Sequence, residues 1–90
     1  MTITNETIVN TVKMEDLNNS DKLIYLLLLL YSDDNGVNKL TNKQLNELTG
    51  FVPITINKSL ENLEAVGKIT RNFEINKNVP GHMERTITIK

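Results

Sequence analysis

The chain has 90 residues, ten basic and eleven acidic side chains, a net charge of −1 and no cysteine. That length makes one domain with one core, in which nearly every large apolar side chain must contribute. The missing cysteines exclude a disulfide framework and thiolate metal ligation.

One histidine, His82, cannot form a histidine zinc site alone, and its place beside Gly81 reads as a turn. No nucleophile–base pair has a workable spacing. Glu61 and Glu64 share a helix side at i, i+3, as a solvated face does, so neither an enzyme nor a cofactor is expected. The opening MTITNETIVN lacks a basic segment leading into an apolar run, so no export signal is expected and the location reads as cytoplasmic. The charge is uneven. Residues 1–36 carry a balance of −4 and residues 37–90 one of +3, an asymmetry that can mark a polyanion-facing side.

Residues 1–17 read as an N-terminal strand or arm, because β-branched residues dominate TIVNTV. A helix is expected from Asn18, with Asp21 in its first turn at the positive end of the dipole, up to Asn35 and Gly36. Its core, LIYLLLLLY, has nine residues without charge or amide. Nine helical residues span only ~13.5 Å, far short of a hydrocarbon core of about 30 Å, so a membrane span is excluded. Leu23, Leu26, Leu27 and Leu30 are expected to face the core. Leu28 and Leu29 would then meet the N-terminal segment, the hairpin or another subunit.

A short extended piece, VNKL, precedes a second helix. TNKQ is a capping box, with Thr41 and Gln44 exchanging hydrogen bonds. Leu45 and Leu48 are expected on one face, Leu40 forms half of a staple, and Gly50 ends the helix. The third helix starts at Pro53, whose missing amide costs nothing in a first turn. Ile56, Leu60 and Leu63 form its apolar stripe, and Gly67 ends it. After Gly67 the period falls to two. KITRNFEINK and ERTITIK alternate around a polar NKNVPGH loop, which predicts a β-hairpin.

The segment LTNKQLNELTGFVPITINKSLENLEAVGKIT resembles the winged helix-turn-helix pattern: a capped short helix, Leu-x-x-Leu-x-Gly, a helix with apolar-x-x-x-Leu-x-x-Leu, then Gly-x-Ile. NNSDKLIYLLLLLYSDDNG is similar to the first helix of such domains in bacterial and phage regulators and replication-initiation (replisome organiser) proteins. The resemblance covers residues 18–76, and residues 18–90 are read as the domain. It implies an α+β fold of three helices with a C-terminal β-hairpin wing.

The resemblance also implies double-stranded DNA as the partner, with the third helix in the major groove and its N-terminal residues near base edges. Pro53, Ile54, Thr55, Asn57 and Lys58 then face the bases, with Asn57 suited to adenine and Lys58 to guanine or phosphate. Thr41, Asn42 and Lys43 would hold phosphate at the start of the second helix, and Arg71, Lys77 and Arg85 around the wing. The pattern departs from the family at Val52, which offers no capping side chain, and in a third helix with one Lys and no Arg. Phosphate affinity depends on Lys and Arg, so a homodimer or a larger assembly is expected for useful affinity. The alternative function is a protein-interaction module without DNA, since fold does not fix function.

Overall fold

The computed structural model describes residues 3–75 and 83–90. Among these, helices α1 (Asn5–Val12) and α2 (Asn19–Leu30) precede strand β1 (Val37–Asn38). Helices α3 (Asn42–Thr49) and α4 (Pro53–Ala65) follow, and then strands β2 (Ile69–Ile75) and β3 (Met83–Ile89). The strands make one antiparallel sheet in the order β1-β3-β2. The result is a small α+β domain, and none of its described helices is long and apolar enough to cross a membrane.

The N-terminal segment departs from the strand expectation. Thr4 caps α1 by accepting from the Thr7 amide at 3.2 Å, Glu6 sits in the first turn, and Lys22 Nζ reaches the Val12 carbonyl at 2.7 Å. A cap is worth about 1 kcal/mol, and a cation at the C-terminal carbonyls adds to it. The β-branched residues cost only a few tenths of a kcal/mol each in a helix, so the caps outweigh the propensity. Thr11 is buried, and Ile3, Met14 and Leu17 join the core.

Helix α2 starts as expected. Asn18 Oδ1 accepts from the Asp21 amide at 2.9 Å, and the Asn18 amide donates back to Asp21 Oδ2 at 3.2 Å. Its rotation differs from the expected one, although Leu26 still packs against the core. Ile24, Tyr25, Leu28 and Leu29 are buried, while Leu23 and Leu30 are 43% and 57% exposed. The polar residues at its ends set this angle. Asp21 turns inward to the Asn62 amide at 3.2 Å, and Ser32, just past the last turn, accepts from Asn38 at 3.2 Å. Asp21, Ile24, Tyr25, Leu28, Leu29 and Ser32 follow the i, i+3, i+4 spacing of a single helix face.

Asn38 on β1 is buried with its hydrogen bonds met: it donates to Ser32 Oγ and accepts from the Leu40 amide at 3.3 Å. Both capping-box bonds of α3 form, Gln44 N–H to Thr41 Oγ1 at 3.1 Å and Thr41 N–H to Gln44 Oε1 at 2.9 Å. Gly50 ends α3 at φ 74°, a left-handed conformation that glycine adopts without strain. Leu45 is fully buried, but Leu48 is 44% exposed, contrary to the expected shared face. The turn is held by Asn46 Nδ2 on the Phe51 carbonyl (2.8 Å) and the Phe51 amide on Thr49 Oγ1 (3.0 Å). Pro53 then opens α4, which buries Ile56, Leu60 and Leu63 as the stripe predicted, and Ser59 with them.

Strand register places Ile69 opposite Ile89, Arg71 opposite Ile87 and Phe73 opposite Arg85. These pairs share one face. Ile69 and Ile87 are buried under the helices, while Phe73 and Ile75, farther along β2, lie exposed.

Candidate functional site

Three expected site residues from three elements meet in one hydrogen-bonded chain. Arg85 on β3 donates from Nη1 to Asn42 Oδ1 and from Nη2 to the Leu40 carbonyl, both at 2.6 Å. Asn42, in the first turn of α3, donates from Nδ2 to Asn57 Oδ1 on α4, again at 2.6 Å. The alternation of β3 turns Arg85 to the helix side of the sheet, and the Thr41 cap brings Asn42 up to meet it. Burial, and to a lesser extent the like charge of Arg71, push the Arg85 guanidinium below its ordinary value. Its Nε is buried without a partner. The hairpin, the start of α3 and the outer side of α4 are thereby fixed against one another.

The other expected residues fall into separate groups. Thr41 is exposed and engaged as the α3 cap. Lys43 is exposed, and among the described residues neither it nor Lys58 has an ion-pair partner. Pro53 is exposed, and Ile54 projects into solvent at 79% exposure. Arg71 pairs with Glu64 rather than with Arg85, Asn42 or Asn57, with Nη2 at 2.9 Å and Nε at 3.3 Å from Oε1, and its backbone amide at 3.0 Å from Oε2. The Arg71 hydrogen bonds hold the Glu64 carboxyl below its usual value against the opposing effect of burial. Lys77 lies outside the described residues, as does His82.

Ile54, Thr55 and Lys58 line a cavity of about 220 Å³ with Asn18, Ser20 and Ser59, between the start of α2 and the first turns of α4. Sequence reasoning missed Asn18, Ser20 and Ser59 here. The available signal was Ser59, a small polar residue three after Ile56 inside the apolar stripe.

Comparison with protein-family models, curated proteins and solved structures finds no match. The case for function therefore rests on this chain's own residues. Among the described residues, this site offers amide and hydroxyl groups, the unpaired ammonium groups of Lys43 and Lys58 and the exposed side chain of Ile54. Among the described residues, no group of three or more acidic or imidazole side chains can hold a metal ion.

Proposed function

We propose that the chain is a winged-helix module that binds double-stranded DNA, with the outer side of α4 in the major groove and the β2–β3 hairpin as the wing. The observation that carries this reading is the Arg85–Asn42–Asn57 chain. A reading side chain is most selective when its rotamer is held in advance. Asn42 occupies one lone pair of the Asn57 oxygen, which leaves the other to accept from adenine N6–H while the Asn57 amide donates to N7. Lys58 lies one residue on and Lys43 sits near the start of α3, each available for phosphate. Ile54 and Thr55 offer methyl groups to thymine.

The module works in the cytoplasm as a transcriptional regulator or as the DNA-binding part of a replication initiator. Among the described residues the α3–α4 face offers only Lys43 and Lys58 as unpaired cations, so two copies on neighbouring half-sites provide the useful affinity. Fluorescence anisotropy with random and genomic duplexes at about 50 mM and about 200 mM salt tests the reading. Binding that falls steeply with salt and prefers some sequences supports it. Failure to bind any duplex at the lower salt overturns it.

A second reading, a protein-interaction module, is favoured by the exposed Ile8, Val9 and Val12 of α1, by Leu23, Leu30 and Tyr31 on and just beyond α2, and by Ile54. Exposed apolar side chains on neighbouring elements can mark a protein contact. A partner held by that surface would stay bound as salt rises.

A further inference from the structure

We propose that the cavity between α2 and α4 is a phosphate subsite. Its lining is Asn18, Ser20, Ile54, Thr55, Lys58 and Ser59, with no acid among them. Ser59 points to a ligand. It is only 2% exposed and lines this cavity, yet its hydroxyl has no hydrogen-bond partner among the described residues. Thr11, Ser32 and Thr49 behave differently, each donating to the carbonyl four residues back at 2.5–2.8 Å. Among the described residues the fully buried unpartnered side-chain atoms are Asp21 Oδ1 and Arg85 Nε, so the Ser59 oxygen opens on the cavity, where an oxyanion would accept its proton.

The other groups fit the same ligand. Ser20 is the second residue of the 12-residue α2, and its amide has no intrahelical acceptor. The positive end of the helix therefore opens on this side. The cap's side-chain oxygen is already committed to Asp21, while the hydroxyls of Ser20 and Thr55 and the Lys58 ammonium complete a donor set. Asp21, the nearest acid on α2, is directed elsewhere. Its Oδ2 accepts from Asn18 N–H and Asn62, and its carboxyl lines a different cavity with Glu15 and Asp16.

The proposal deepens the DNA reading and depends on it for the ligand's source, a duplex backbone phosphate beside the base-reading end of α4. The chemistry alone would equally accept free phosphate. The test titrates the full ¹⁵N-labelled chain with inorganic phosphate while following the amides of Ser20, Lys58 and Ser59. Duplex binding is measured in parallel on the wild type, Ser59→Ala and Ser20→Asp. An acid in the first turn of a helix is stabilising, so Ser20→Asp keeps its fold, which a melting curve verifies.

Saturable shifts at those three amides are expected. They should be lost in Ser20→Asp and weakened about 3- to 10-fold in Ser59→Ala, the worth of one hydrogen bond. Duplex affinity should fall by the same factors for every sequence. Phosphate shifts scattered elsewhere, or unchanged phosphate and duplex binding in Ser20→Asp, would overturn the subsite while leaving the DNA reading intact. Phosphate bound at these amides by a wild type that binds no duplex would keep the subsite for free phosphate and end the DNA reading.

Discussion

Asn57 carries the most specific chemistry on the surface, because a neighbour fixes its oxygen. Asn57→Ala removes the reader and should cost about 1–3 kcal/mol of discrimination at one base pair. Asn42→Ala frees the Asn57 rotamer and removes the partner of Arg85 Nη1, so it should blunt the same preference by a smaller factor. An unchanged preference in Asn57→Ala, by anisotropy against single-base variants of the preferred site, would mean that Asn57 reads nothing. Lys58→Ala should weaken all sequences alike and lower the salt slope by about 0.9. Glu64 gives a prediction in pH. Its folded-state pKa lies below the ordinary 4.5, so its stabilisation is present above that value and is lost as pH falls through the folded value. The pair is partly exposed, with side-chain exposures of 20% for Arg71 and 37% for Glu64, so its worth is discounted to about 0.5–1 kcal/mol. Glu64→Gln should melt below wild type at pH 7 and converge with it as acid protonates the carboxylate.

At the scale of elements, α2 decides how much of the core reaches full burial. Leu28 is completely buried and Leu23 is 43% exposed. Leu28→Ala should cost about 2–5 kcal/mol, against under about 1 kcal/mol for Leu23→Ala, measured by urea denaturation. Against a total stability of ~5–15 kcal/mol, the first loss threatens the fold and the second does not. The reversed order would restore the rotation expected from sequence. The contrast shows where the sequence was legible. Thr41 with Gln44, Asn18 with Asp21, Pro53, Gly50 and the α4 stripe carry local signals, and each element they predict forms. In LIYLLLLLY every position is apolar, so periodicity cannot choose a face, and the choice falls to Asp21 and Ser32 through the partners Asn62 and Asn38. Helix α1 was missed because a capping Thr4 weighs more than β-branched composition. At the site, residue types pointed to Asn57 and Arg85, but their link through Asn42 joins positions 15 and 43 residues apart in sequence. No local pattern records such a link.

At the scale of the molecule, the two halves divide the work. The acidic first part holds α1 and α2, with exposed Ile8, Val9, Val12, Leu23, Leu30 and Tyr31, while the basic remainder holds α3, α4 and the hairpin. Phosphate repels the acids of the first part, so a bound duplex that touches α2 only at its first turn would leave α1 and the far end of α2 available to a second copy. An isologous contact there would present two α4 helices to two half-sites. Sedimentation should then show a monomer–dimer equilibrium. Val12→Lys with Leu30→Lys alters two exposed positions, so melting should barely change. The same pair should shift the chain to monomer and weaken binding to a two-site duplex much more than to a single half-site. A wild type that stays monomeric up to hundreds of micromolar, yet binds two-site and half-site duplexes equally, would show that one copy binds alone. Its cations would then be limited to Lys43, Lys58 and the hairpin's own, and the salt slope would have to be correspondingly shallow. The slope and the oligomeric state must therefore agree: a steep slope requires two copies on the duplex, and a strict monomer permits only a shallow one.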